Sequence, residues 1–528
     1  MTKPTSNSPG WWQQSTIRRF LKWLFSWRTA RRALVSLAVL VTLYALFRTE
    51  ENIRGKRVWD KYRRELEARG AQLDWAAYIP KLIPDDQNFA ATPVIQSWFV
   101  RSNNVFTSSD YWKKDKYGLA ESRVTTDKDH RGFTDLVAWG RAFANTNTNG
   151  KVESGPLNVA SRAKAAPAVL AALETNEAMF AELRAASQRP YSRYPVNYDV
   201  EEPFAILLPH LSSVRNVCRR LQLKACAELA AGRSAEALAD VKLMLRLADS
   251  IKEDPFLIDY LVRVACLQTA IEPVWEGLAE RRWSDAQLQE LQACFQWYDF
   301  VADLKRPLEV ERASGLAILD LIRKHGLGYL IMLDGSGSPS SSDARAANWL
   351  GMVLPTSGWL YLEQENLLRG HQTLLDGTID PPQRRVFPDR TEANGRELDR
   401  ALKGGEFAAF IRHRVMATLL LPALSRVVVK AATAQTVVDQ AALACALERY
   451  RLANGQFPDT LDALVPRFIS QLPHDVITGE PYKYRRTDDG QFVVYSVGWN
   501  EKDDGGVPGK TLFDEKEGDW VWQYPPNH

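Results

Sequence analysis

Residues 417–453, ATLLLPALSRVVVKAATAQTVVDQAALACALERYRLA, decide how the C-terminal part of this chain is read. Val427, Ala431, Ala434, Val438, Ala441 and Cys445 recur at three- and four-residue steps, which puts them on one seam of a long helix. Asn454-Gly455 ends the pattern, because the left-handed residue after a last helical turn is easiest for glycine. Phe457-Pro458 then turns the chain, and Leu461, Leu464 and Val465 mark a short helix stopped by Pro466. Past Leu472-Pro473, Tyr482-Lys483-Tyr484 and Phe492-Val493-Val494-Tyr495 read as strands around the turn Asp488-Asp489-Gly490. A long helix packed on a small antiparallel sheet is the economical fold.

The order of these residues resembles the major pseudopilins of type II secretion systems. The match runs through Leu421-Pro422, Val438-Asp439, Ala442-Leu443, Ala446-Leu447 and Tyr450, then Asn454-Gly455-Gln456-Phe457-Pro458-Asp459-Thr460-Leu461. It continues through Leu472-Pro473, Tyr482-Lys483-Tyr484 and Tyr495-Ser496-Val497-Gly498, and covers the last fifth of the chain. The resemblance implies a pseudopilin-like α+β module over residues 401–528. It also implies a calcium ion in the loop after Ser-x-Gly, which here reads Trp499-Asn500-Glu501-Lys502-Asp503-Asp504-Gly505-Gly506. Calcium takes oxygens from carboxylates, amides and carbonyls, so Asn500, Asp503 and Asp504 are the candidate ligands, with Asp519 from the following Gly-Asp-Trp-Val-Trp segment. An acidic, solvated turn is the competing reading. The chain departs from the family at its N-terminus, where no Gly-Phe cleavage site with a following Glu occurs. The stem position, Phe407 to Leu424, carries Arg412, His413 and Arg414. The module therefore reads as reused behind a helical domain, and fold analogy alone does not carry function across.

Upstream, residues 151–334 read as that helical domain. Leu207, Leu211, Val214, Cys218, Leu221, Ala225 and Leu229 form one stripe that Gly232 stops. Ser234 is expected to cap a second helix carrying Leu238, Val241, Leu245 and Ala248, and Leu257, Leu261, Val264, Leu267 and Ile271 mark a third. Ser284 with Gln287 makes a capping box before Leu288, Leu291, Phe295 and Tyr298, with Trp283 placed to staple onto Leu288. Short connections favour antiparallel neighbours, so a large helical bundle or α-hairpin array is expected. The piece Gly232-Arg-Ser-Ala-Glu-Ala-Leu238 has a tetratricopeptide character, but no period of about 34 residues is sustained. Residues 335–400 read as a linker with one helix: Gly335–Ser342 (GSGSPSSS) as connector, Trp359 to Leu375 as the helix, and the Pro-rich, charged Asp380 to Arg390 as a second connector.

At the other end, Ala33 to Phe47 (ALVSLAVLVTLYALF) is free of charge and bracketed by Arg32 and Arg48. As a helix it covers about 22 Å, so spanning a core of roughly 30 Å relies on snorkelling arginines or local thinning of the bilayer. Ile17, Phe20, Leu21, Leu24 and Phe25 repeat at helical spacing among Arg18, Arg19, Lys22 and Arg28, with Trp11, Trp12, Trp23 and Trp27 alongside, as suits a headgroup layer. This gives a basic cytoplasmic segment over 1–32, a transmembrane anchor over 33–48 and a juxtamembrane, irregular region over 49–150. A cleaved signal peptide is the alternative, but no small-x-small site follows Leu46. Bases are about as numerous after the segment (Arg54, Lys56, Arg57, Lys61, Arg63, Arg64) as before it. The short acid-free lead favours an N-terminus inside and the bulk outside a bacterial inner membrane.

Lys+Arg 67 against Asp+Glu 64 leaves +3, too small a surplus for the footprint of a nucleic-acid binder. Five scattered cysteines, Cys218, Cys226, Cys266, Cys294 and Cys445, sit in apolar helical patterns without Cys-x-x-Cys, which reads as core packing. The seven histidines, His130, His210, His325, His371, His413, His474 and His528, match no metal or triad spacing. Carboxylate pairs such as Glu201-Glu202 and Asp85-Asp86 would serve catalysis only if the fold brought them into a cleft. The chain as a whole reads as mainly α. It is expected to be a membrane-anchored envelope protein that associates with the bilayer, with other envelope proteins or with itself. An envelope hydrolase with a site between the helices of the middle domain is the second reading.

Overall fold

The computed structural model describes residues 27–102, 105–108, 132–144, 158–326 and 357–525. The expected amphipathic lead over Ile17 to Phe25 and the Gly335–Ser342 connector lie outside the described residues. The chain divides into two compact units, Met1–Arg69 with Ile322–Glu365, and Gly70–Leu321 with Asn366–His528.

The first unit is built on one helix, Trp27–Ala68, with no break between the apolar Ala33–Phe47 run and the charged continuation. The sequence is rich in Ala, Leu, Arg and Glu, and Arg54–Glu50 and Arg63–Glu67 pair one turn apart along it. Its most apolar stretch is long and apolar enough to cross a membrane and is entirely unburied. Further along, Glu51, Gly55, Trp59, Tyr62 and Leu66 are buried at three- and four-residue steps, so this half has one covered face. Gly55 meets Gly358 of the Ser357–Leu375 helix so closely that a Cβ on Gly55 would stand 2.3 Å from the Gly358 carbonyl oxygen. The Gly358 N–H donates to Asn52 Oδ1 at 2.7 Å across the same crossing.

In the second unit the helices Pro209–Ala230, Ser234–Ser250 and Leu257–Ala279 pack on one another. Leu211, Val214, Cys218, Leu221, Ala225 and Leu229 are buried as the stripe requires, while Leu207 precedes the helix and is exposed. Gly232 takes φ 78°, a conformation costly for a residue with a Cβ, and the first helix ends there. Ser234 is not a cap. It is the first residue of its helix, and its hydroxyl instead accepts from Gln287 Nε2 at 3.2 Å. The Ser284–Gln287 capping box forms as expected. Trp283 lies against Gly277 and donates its indole N–H to the Val274 carbonyl.

Outside this trio, Val159–Leu173 packs on Pro209–Ala230 through Ala166, Val169, Leu173, Leu223 and Cys226. Arg162, fully buried, bridges Glu276 and Glu280 with its guanidinium over the Phe133 ring. All five cysteines are free, and four are buried in the helical core.

Regular α-helix at the C-terminal end runs over Ser425–Asn454 and is capped by Gly455 in the left-handed region. It starts later than the sequence pattern does. Val415–Leu420 is a separate short helix, and Leu421–Ala423 forms a 3₁₀ turn at Pro422, whose missing N–H interrupts the α ladder. From Ala431 to Glu448 every residue is buried. The stretch Val415–Asn454 passes the same length and hydropathy test as the N-terminal helix, but half of its most apolar window is buried inside the protein and several of its polar side chains find partners there. Gln435 Nε2 donates to Tyr298 O, Gln440 Nε2 donates to Trp520 O, and Asp439 accepts from Gln435 and Tyr482.

Beyond it, strands Lys483–Arg486, Phe492–Ser496 and Trp520–Trp522 make an antiparallel sheet in sequence order, with Tyr484 opposite Val494 and Val494 opposite Trp522. Val428, Val429, Ala432, Val497, Trp499 and Trp520 form the core beneath it.

Asp380 to Arg390 is not a connector. Ile379–Asp380 pairs with Arg385–Val386, Val386 is buried and donates its N–H to Val476 O, and Pro388 opens a helix to Leu402. Proline at a helix start has no N–H to leave unpaired, so a linker-like composition serves a folded segment.

Candidate functional site

The residues expected to hold calcium lie on one loop beside the three-stranded sheet. Asp519, buried, is the organiser: its carboxylate accepts the Gly506 N–H at 2.6 Å and the Asp504 N–H at 3.2 Å. Asp503 Oδ1 accepts from the Gly505 N–H at 3.0 Å and from the Tyr495 hydroxyl at 3.1 Å. Asn500 accepts the Lys502 N–H and donates to Asp504 Oδ2 at 3.4 Å. Burial raises the Asp519 pKa, with Asp503 and Asp504 as nearby like charges adding to the rise. The loop is thus folded by its own carboxylates, and Asn500, Asp503 and Asp504 keep their outer faces in solvent.

A second constellation lies between the helices of the same unit, and spacing in the sequence does not announce it. His210 stands in the first turn of Pro209–Ala230, Asp254 in the loop after Ser234–Ser250, and Asp259 in the first turn of Leu257–Ala279. All three are buried, and one ligand-type atom from each lies within 4.8 Å of the others, the one such His, Cys, Asp or Glu set among the described residues. His210 Nε2 lies 3.0 Å from Asp254 Oδ2. Asp259 Oδ2 accepts the Phe256 N–H at 2.8 Å, an N-terminal box that fixes the carboxylate, while its Oδ1 has no partner.

Aromatic rings enclose the imidazole. Tyr194 stacks on it at 4.3 Å between centroids and Phe99 at 6.1 Å, and the Tyr194 hydroxyl shares a hydrogen bond with Ser250. The Tyr198 hydroxyl, also buried, has no partner either.

Electrostatically the pocket is short of positive charge. Burial, then the neighbouring Asp254 carboxylate, raises the Asp259 pKa well above the usual carboxylate range. Burial also raises the Tyr198 phenol, and Asp254 and Asp259 raise it further. Glu311, nearby, is pushed up to about 6 by burial. Among the described residues neither Asp254 nor Asp259 is ion-paired to Lys or Arg. Arg306 is drawn to Glu253 and the Tyr78 carbonyl, and Arg193 to the Pro80 carbonyl.

Asp254 also lines a cleft of about 490 Å³ with Tyr78, Arg263, Asp303, Arg306 and Glu309. A neighbouring cleft of about 870 Å³ shares Tyr78, Lys252, Glu253, Arg263 and Arg306. Chemically, the arrangement offers an imidazole oriented by one carboxylate, and a second carboxyl group whose proton affinity burial raises.

Of the acidic pairs singled out in the sequence, Asp85, Asp86 and Glu201 are exposed and Glu202 is half-buried; none joins this cluster. His210 carried no motif, and the only local sign was Asp259 three residues into a helix start. Compared with protein-family models, curated proteins and solved structures, the chain matches none.

Proposed function

We propose that this chain is a single-pass protein of a bacterial inner membrane. Its N-terminus is cytoplasmic, and its bulk on the outer side acts as a scaffold or assembly element for other envelope proteins or for further copies of itself. The observation that carries the reading is the Trp27–Ala68 helix, whose apolar Ala33–Phe47 segment has Leu34, Leu37, Leu40, Val41, Leu43 and Phe47 all exposed. So contiguous an apolar surface is costly in water and favourable in lipid.

The pseudopilin-like character of the C-terminal part is supported by a long helix closed by Gly455 and followed by a three-stranded antiparallel sheet. A calcium ion held by Asn500, Asp503 and Asp504, with Asp519 bracing the loop, belongs to the same proposal. The charges of Asp503 and Asp504 beside buried Asp519 are what a cation would offset.

The test is fractionation and topology together. The full chain should resist alkaline extraction from membranes, be cut by protease only from the outer face, and be released when Ala33–Phe47 is deleted. In detergent it should form a discrete oligomer or cross-link to a defined envelope protein. A strictly monomeric protein that is freely extracted would overturn the reading.

A second reading, an envelope hydrolase, is favoured by the Asp254–His210–Asp259 convergence beside a cleft. A purified chain that hydrolyses ester, phosphoester or amide substrates, and loses that activity in His210→Ala, would establish it. No turnover of the three substrate classes would remove it.

A further inference from the structure

We propose that His210, Asp254 and Asp259 hold a divalent transition-metal ion, with Zn²⁺ as the best-fitting occupant. The inference goes beyond the scaffold and hydrolase readings, because an ion here stabilises the helical unit whether or not chemistry takes place.

Geometry comes first. Zinc binds imidazole nitrogen and carboxylate oxygen at about 2 Å, which sets neighbouring donor atoms roughly 3 Å apart. His210 Nε2 and Asp254 Oδ2 are 3.0 Å apart, and the Asp259 carboxylate completes a set within 4.8 Å. The three side chains come from three different segments, each anchored by backbone structure of its own. A site assembled in this way is held by the fold rather than by a mobile loop.

An unused polar atom is the second, independent observation. Asp259 is fully buried between helices, where an unmet polar atom has no water to turn to. Asp259 Oδ1, at the cluster itself, is buried and unpartnered. Buried polar groups are ordinarily satisfied, so a fully buried carboxylate oxygen left unpartnered within this set marks a missing partner. A cation suits that place, because two carboxylates face a single imidazole and, among the described residues, neither is ion-paired to Lys or Arg. A divalent cation neutralises both carboxylates at once.

Donor type then selects the ion. One imidazole nitrogen with carboxylate oxygens suits zinc and its first-row neighbours, whereas calcium and magnesium favour all-oxygen cages and no thiolate joins the set to favour copper(I). The ion would replace the His210–Asp254 hydrogen bond as the link between those side chains.

The test uses the full-length protein in detergent, stripped with a chelator and dialysed against Zn²⁺, with metal content and melting temperature measured. About one Zn²⁺ per chain should be retained and the melting temperature should rise. Asp259→Asn and His210→Gln should each lose the retained ion and the rise, while Asp503→Asn with Asp504→Asn should lose neither. No retained Zn²⁺, or undiminished retention in both cluster variants, overturns the proposal.

Should the cluster variants fail to fold, Co²⁺ bound to the unaltered chain decides. A visible spectrum of nitrogen and oxygen ligands supports the site, and a thiolate charge-transfer band places the ion on cysteine and overturns it.

Discussion

The indole N–H of Trp275, near the C-terminal end of Leu257–Ala279, donates to the backbone carbonyl of Gln523, 3.0 Å away and 248 residues further on. Beside it the Trp275 ring meets Tyr524, and Phe133 packs on the same indole. One fully buried side chain thus joins the helical middle to the segment that follows the last strand.

Replacing it should therefore weaken both parts at once. Trp275→Ala should cost about 3–5 kcal/mol, the range for emptying a large core site. Helical ellipticity and tryptophan fluorescence should still fall together in urea, at a lower midpoint. Two separate transitions would mean that the helical middle and the C-terminal sheet fold independently.

Glu228 is buried, and burial, then the Asp240 charge, raises its pKa from 4.5 to about 7, against the pull of Lys224. A carboxyl whose pKa is higher in the folded state adds stability that is fully present below about 4.5 and is lost as pH rises through about 7. Glu228→Gln should remove that dependence. Its urea midpoint relative to the natural chain should climb as pH is raised from 4.5 to 8, and a difference constant with pH would refute the assignment.

At the crossing of the first unit, a Cβ on Gly358 would stand 2.2 Å from the Glu51 carbonyl oxygen, which is backbone and cannot swing aside. Gly358→Ala should push the two helices apart and cost about 1–3 kcal/mol. Faster amide exchange over residues 50–62, with the second unit unchanged, is the readout.

Cys218, Cys226, Cys266 and Cys445 are buried, and burial raises the thiols of Cys226 and Cys445, while Cys218 is raised chiefly by its contact with the Cys266 thiol. Reagent must reach the sulfur, so these four should resist alkylation in the folded protein, and half-buried Cys294, though burial raises its thiol too, should react first. Mass spectrometry after a short pulse of reagent checks the order; rapid labelling of Cys218 would contradict the packing.

Local signals were legible where one residue type has one use. The stripe from Leu211 to Leu229, the Ser284–Gln287 box and the left-handed Gly455 each follow from a single steric or hydrogen-bonding requirement. Residues with two uses misled. Ser234 has the chemistry of a cap but spends its hydroxyl on Gln287, and Pro388 fits a connector and a first helical turn equally well. The His210 cluster was illegible for another reason. Its members sit 44 and 5 residues apart and converge only through packing, while periodicity reports apolar faces and is silent about polar side chains at helix ends.

The fully enclosed run from Ala431 to Glu448 has a bearing on how the protein is made. Synthesis delivers this rod well over a hundred residues after Leu257–Ala279 and Asp285–Phe295, the helices that wall the groove it occupies. Until then those walls face solvent with greasy surfaces uncovered, a state prone to clumping. A message cut short before Ser425 yields a nascent product with an unfilled trench, fit for degradation.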